Sequence, residues 1–143
     1  MLTVGTNSYV TIAEADDYLG GEVGGERWSK LEEAQKERFL ITAARKIDAL
    51  QLRGAKADSS QTMSFPRLPD FGTDIVKQAQ ILEAFALTDS AALQRAALQE
   101  QGVSSVNVGN ASESYIECAQ RKLLSVQANQ LLRSYMTGSV RLI

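Results

Sequence analysis

Both prolines of the 143-residue chain fall in one short stretch, "MSFPRLPDFG", residues 63–72. Proline has no N–H to donate and clashes with the preceding helical turn, so a helix ends or kinks where it stands. The sequence on either side is free of it and reads as helix. Pro66 and Pro69 therefore mark a stiffened connection. The residues before them, Phe65 and Leu68, are expected to be extended.

The helical reading rests on caps and apolar spacing. "TIAEADDYLG" opens with Thr11 as N-cap and Glu14 three residues on, a capping box. Ile12, Ala15, Tyr18 and Leu19 then share a face, and Gly20-Gly21 ends the segment. The next segment, "GGEVGG" at 20–25, reads as a flexible glycine loop without the Lys-Ser/Thr of a phosphate loop. A second helix is expected from Ser29, whose spacing to Glu32 repeats the box. Its inward stripe is Leu40, Ala43, Ala44, Ile47 and Leu50, with Phe39 at the edge. Glu32 and Lys36 are placed for an i,i+4 ion pair, and Trp28 before the cap reads as core.

Past the prolines, Thr73 is expected to cap a third helix whose face is Ile75, Val76, Ala79, Leu82 and Ala86. "TDS" (88–90) allows either an interruption or continuity to Gln101. The strong helix formers of "AALQRAALQE" favour continuity. "GVSSVNVGNASES" (102–114) carries Val106 and Val108 in alternation around Gly109-Asn110, the pattern of a β-hairpin with a tight turn. A lone hairpin is marginal in water. "SYIECAQRKLLSVQANQLLRSYM" reads as a last long helix with two stripes: Tyr115, Ala119, Leu123, Val126 and Leu131, then Leu124, Ala128, Leu132 and Tyr135. After Gly138 the tail runs Ser139, Val140, Arg141, Leu142, Ile143. As a strand, Val140 and Leu142 would share a face opposite Arg141. The fold class expected is mainly α: a small bundle of about four helices in one domain, 1–143, with an inserted hairpin and an extended C-terminal tail.

Composition narrows the chemistry. Hydrophobic residues make up 44% and charged residues 22%, an ordinary globular balance. No apolar run approaches the span of a bilayer, and "MLTVGTNSYV" lacks signal-peptide features. Cys118 is the one cysteine and has no intrachain disulfide partner, in keeping with a reducing cytoplasm. With no histidine and one cysteine, the usual metal and general-base chemistry is missing, so neither a metal nor a cofactor is expected. Carboxylate catalysis would fall to Glu14, Asp16 and Asp17, but these sit at a helix start, where acids favour the helix dipole anyway. No catalytic residue is assigned, and the chain is not expected to be an enzyme.

Net charge is −2, which does not advertise nucleic-acid binding. Its distribution is uneven. Residues 1–26 hold Glu14, Asp16, Asp17, Glu22 and Glu26 with no Lys or Arg, whereas most of the positive charge lies in 27–67. This pattern fits complementary surfaces between copies of one protein, or simply solvated helix faces.

In order along the chain, several motifs resemble one family. "NSYVTIAEADDYL" is similar to an opening found in small proteins of tailed-phage head-assembly modules. "FLITAARKIDAL" (39–50), the Phe65-Pro66-Arg67 step, the helix opening "TDIVKQAQILEA" and the hairpin "GVSSVNVGNASESY" follow as they do there. Asp74 stands where a Pro is common, and "LPDFG" replaces a shorter turn. The resemblance is to the head–tail connectors, or adaptors, of long-tailed bacteriophages, some of whose relatives are labelled DnaT-like single-stranded-DNA binding.

The resemblance implies a structural virion protein that is made in the bacterial host cytoplasm and lodged in the virion neck. It implies a ring, usually a dodecamer, beneath the portal, extending the DNA channel with only transient contact to packaged double-stranded DNA. Its partners would be itself, the portal protein and a tail terminator or other neck protein, with no membrane. In such a ring, Phe65, Pro66, Arg67 and Pro69 form a structural corner. Arg67 either reaches a carboxylate or backbone carbonyls across it or is simply solvated. Val106, Val108, Gly109, Asn110, Val140, Arg141, Leu142 and Ile143 are the candidate contacts to neighbours or portal. The tail could instead fold back on its own bundle. The alternative function is a single-stranded-DNA-binding module, which calls for aromatic rings interleaved with Lys and Arg.

Overall fold

The computed structural model of the chain describes residues 1–68, 71–100, 105–108, 111–114 and 123–136. It is mainly helical with a small antiparallel hairpin. The helices are α1 (Ile12–Gly20), α2 (Glu26–Ser29), α3 (Glu33–Asp48), α4 (Thr73–Leu87), α5 (Ser90–Glu100) and α6 (Val126–Leu132), the last running into a 3-10 turn at Arg133–Tyr135. The short strands β1 (Ala55–Lys56) and β2 (Arg67–Leu68) pair antiparallel, as do β3 (Ser105–Val108) and β4 (Ala111–Ser114).

Helix α4 is the central element. Val76, Ala79, Leu82, Ala84 and Leu87 are buried, and so are the polar Gln80 and Glu83. It packs between α3 and α6 and divides the apolar interior into two clusters. One gathers Tyr9, Ile47, Phe65, Val76, Leu132 and Tyr135. The other gathers Val10, Leu19, Trp28, Leu40 and Ile81. Buried side chains of this kind each contribute about 1.5–3 kcal/mol.

Helix α1 has the predicted capping box, with Thr11 and Glu14 bonded reciprocally. The second helix starts later than expected. Trp28 is buried on the single turn of α2, and the chain restarts at Glu32, which caps α3 in a box with Gln35. Ser29 and Glu32 thus form no box. Lys36 turns from Glu32 to Asp16, 3.0 Å away, where it also lies over Trp28. All five residues of the expected α3 stripe are buried.

Continuity through 88–90 is corrected. Helix α4 stops at Leu87, the Thr88 hydroxyl folds back on the Phe85 carbonyl, and Asp89 accepts from the N–H groups of Ala91 and Ala92 to start α5. The cap of α4 is Gly72, not Thr73. The long last helix is also corrected: Ser125 caps a new helix at Val126, and Val126, expected in the core, is 48% exposed. Leu123, Ala128, Leu132 and Tyr135 are buried as expected. Residues 115–122 lie outside the described residues, including Tyr115, Cys118 and Ala119.

Candidate functional site

The corner at 63–72 is where distant parts of the chain meet. Phe65 is buried, and the Phe65-Pro66 peptide is cis. Its ring stands edge-on to Tyr9 at 6.0 Å and to Tyr135 at 5.4 Å. The Tyr9 hydroxyl donates to Asp48 at the end of α3 and accepts from the Phe65 N–H. Burial, then the bonded Asp48 carboxylate, pushes the phenol well above its ordinary range. Asp48 also accepts from the Ser64 N–H. The corner therefore ties the N-terminal segment, α3 and the end of α6 into one cluster.

Arg67 is buried at the centre of this corner. Its guanidinium donates to the carbonyls of Arg53 at 2.8 Å, Ser64 at 3.1 Å and Gly54 at 3.1 Å, with Leu52 at 3.5 Å. The five fixed donors of Arg suit such a cage better than a lysine ammonium does. Of the two sequence readings for Arg67, the carbonyl contact is the one the structure shows. Residues 52–53 are in turn held from the C-terminal side. Leu52 bridges Met136, and the Arg53 N–H donates to the Tyr135 carbonyl at 2.6 Å. Pro69 lies outside the described residues.

Two polar anchors escaped the sequence reading. Gln80, fully buried, accepts from the Tyr9 N–H and donates to the Ser8 hydroxyl and the Leu40 carbonyl, each at 2.8 Å. Glu83, also fully buried, pairs with Lys46 at 2.6 Å. It also accepts from the N–H groups of Leu124 at 2.9 Å and Ser125 at 2.8 Å. The buried anion thus satisfies the N–H of Ser125, the cap of α6, and that of Leu124 before it. The available signal was a pair of polar residues inside the apolar run "QAQILEAFA".

The expected contact residues are only partly visible. Val106 and Val108 lie on β3, in register with Glu113 and Ala111. Gly109 and Asn110 fall between the strands, outside the described residues, as do Val140, Arg141, Leu142 and Ile143. Of the three carboxylates considered for catalysis, Glu14 and Asp17 edge one groove and Asp16 is turned away to other partners. Asp16 accepts from Trp28 and Lys36, and Glu14 accepts from Thr11 and Lys77. Among the described residues no group of three or more metal-ligating side chains occurs, and no helix is long and apolar enough to cross a membrane.

The surface has two grooves. One, about 460 Å³, lies between α1 and α4 and is edged by Glu14, Asp17, Asp74 and Lys77. The other, about 340 Å³, lies between α3 and the α4–α5 elbow, floored by Phe39, Leu87 and Leu93 and edged by Gln35, Arg38 and Thr42. The aromatic rings are largely committed elsewhere. Tyr9, Trp28, Phe65 and Tyr135 are buried, and Arg27 covers Phe85 at 4.3 Å. Phe71 is 57% exposed.

The opening motif, the corner and α6 form one frame, and the family comparison spans all three. The model of the family described as "Putative DnaT-like ssDNA binding protein" matches residues 2–142. The chain belongs to this family. No curated protein and no solved structure matches it. The family description speaks of single-stranded DNA and not of head–tail connectors, so it bears on the alternative drawn from the sequence rather than on the main expectation. For this DnaT-like chain the Ser8-Tyr9 motif, the corner and Glu83 all serve the packing of the domain.

Proposed function

We propose that this chain is a structural subunit of the neck of a tailed phage, forming a ring between portal and tail that extends the DNA channel. What supports this reading is the resemblance of the sequence motifs to those of head–tail connectors. The observation that carries it over DNA binding is the fate of the aromatic rings. Stacking on single strands needs open ring faces beside cations. Among the described residues Tyr9, Trp28, Phe65 and Tyr135 are buried and Arg27 is spent on Phe85 and Thr88, which leaves only the half-buried Tyr18 and Phe39 and the exposed Phe71. Lys46 is bound to buried Glu83 and Arg67 to carbonyls, while Lys36 and Lys77 pair with carboxylates at the surface. A frame so tied is suited to hold neighbours at a fixed angle. In this reading the partners are further copies, the portal protein and a tail-side neck protein, and no reaction is catalysed.

The second reading is single-stranded-DNA binding, and the family description favours it. Phe71 and Lys56, both exposed beside the corner, are where it would start. One pair of experiments separates the two. Purified protein is titrated into labelled oligo-dT across a salt series, and mixed with emptied phage heads for electron microscopy. The connector reading expects rings on the portal vertex and no shift of the strand at physiological salt. Micromolar or tighter binding that weakens steeply with salt, with bare portals, establishes the second reading in its place.

A further inference from the structure

Val23 is an apolar side chain held out in water. It is 94% exposed, although the loop carrying it is not slack. The Gly25 N–H donates to Glu22, the Arg27 N–H to Gly24 and the Trp28 N–H to Gly25, which runs the loop directly into buried Trp28. Gly24 has φ +81°, and a Cβ on Gly25 would lie 2.1 Å from the Leu19 carbonyl oxygen. The glycines therefore fix a turn that the sequence reading took for a flexible loop. A rigid turn with an exposed valine at its tip is a knob.

The groove between α3 and the α4–α5 elbow is a matching hole. Phe39, Leu87 and Leu93 give it an apolar floor, and Leu93 is 42% exposed. Arg38 stands at its edge without an ion pair among the described residues. Beside it, α5 is an 11-residue helix with none of its described side chains buried. A helix that short is marginal without packing.

Charge names the occupant. Val23 is flanked by Glu22 and Glu26, within a 26-residue stretch that has five acids and no base. The hole offers a cation. Position then decides between self-filling and a second copy. The knob loop lies against Phe85, since a Cβ on Gly24 would meet that ring at 3.8 Å, whereas the hole is lined by Leu87. Residues two apart on a helix point about 200° apart, so the ring met by the knob loop and the leucine lining the hole face different sides of α4. Val23, 94% exposed, does not fill the hole of its own chain.

We infer that the Glu22–Glu26 turn of one copy seats in the α3/α5 groove of a second copy, with Val23 on Phe39 and Leu93 and with Glu22 or Glu26 on Arg38. Knob and hole are different surfaces, so the contact is head-to-tail. Such contacts propagate and close into a ring when the rotation allows. The inference rests on the ring-forming part of the proposed function and names the surface that makes the ring.

Sedimentation velocity over about a hundredfold concentration range tests it, run on wild type, Val23→Asp, Arg38→Glu and the double variant Glu22→Lys/Glu26→Lys. The wild type associates as concentration rises. Val23→Asp weakens association by at least about tenfold, the effect of losing one buried valine. Each charge reversal does the same by itself, and mixing Arg38→Glu with the Glu22→Lys/Glu26→Lys chain restores association. Val23 is exposed, so at a concentration where both chains are monomeric its variant melts with the wild type. Val23→Ser replaces it if the aspartate chain unfolds early. Association that survives Val23→Asp and Arg38→Glu overturns the surface while leaving the ring reading standing. A wild type that stays monomeric overturns the surface too, and the ring reading is then decided by whether rings still appear on emptied heads.

Discussion

Replacing Glu83 by alanine should cost the protein about 3–5 kcal/mol, as large a share of its stability as any single polar residue commands. The carboxylate has three partners: the Lys46 ammonium and the backbone N–H groups of Leu124 and Ser125. Their fates differ. The Lys46 side chain is 32% exposed, so its charge can turn to water and escapes most of the penalty of a stranded buried ion. The two N–H groups sit at the start of α6 and cannot follow. An orphaned buried donor costs about 1–3 kcal/mol; the Ser125 N–H is buried and the Leu124 N–H, only partly buried, costs less, and the space left by the side chain adds about 1 kcal/mol. Glu83→Gln keeps an oxygen for one N–H but sets an amide against the ammonium, and should fall between alanine and wild type. Urea unfolding followed by far-ultraviolet circular dichroism reads the difference, with an unchanged denaturant slope showing that the folded end-state is the same. A loss below about 1 kcal/mol for the alanine chain would refute the assignment of Glu83 as the anchor of the C-terminal helix.

Arg67→Lys should lose about 2–4 kcal/mol, because one ammonium cannot serve the carbonyls of Arg53, Ser64 and Gly54 together. Its partners are neutral, so the loss should be the same at low and high salt, and a strong salt dependence in urea midpoints would point to an ion pair instead. Gly72→Ala should cost about 1–3 kcal/mol, since its φ is +67° and the new Cβ would fall 2.9 Å from the Tyr135 ring. A melting temperature within about 2 °C of wild type would contradict this. The Thr11 N–H and, less strongly, Lys77 hold the Glu14 carboxyl below the ordinary glutamate range. A lowered folded value means that the contribution is present above the ordinary glutamate value and is lost as pH falls through the folded one. Glu14→Gln should therefore reduce the acid dependence of the urea midpoint over that window, and parallel curves for the two chains would rule this out.

Helix faces were legible because the 3.6-residue period is a local property: the α3 stripe and the Thr11–Glu14 box are where the spacing put them. Boundaries failed where a distant group decided them. Ser29-x-x-Glu32 and Glu32-x-x-Gln35 have the same spacing, and burial of Trp28 selected the second. The break before α6 is made by Glu83, more than forty residues away, taking backbone donors that a continuous helix would have used. Arg67 was legible as a residue able to bind carbonyls, but which carbonyls depends on residues 52–54 arriving from the end of α3. The knob at Val23 was hidden because glycine runs look alike in sequence whether they are slack or, as at Gly25, fixed by the lack of room for a side chain.

The bonds from Gln80 to Ser8 and Tyr9 close loops of 72 and 71 residues, so the opening motif has no seat of its own. Until α4 lies against α3, Gln80 lacks the Leu40 carbonyl that holds its amide and is not in place to receive it. The ordering entropy of so long a closure is met only once the helical pair exists. The Ser8-Tyr9 segment is therefore among the last to settle, a strap drawn over a hairpin of helices already made. Substitutions at Ser8 should accordingly speed unfolding and leave the refolding rate nearly untouched.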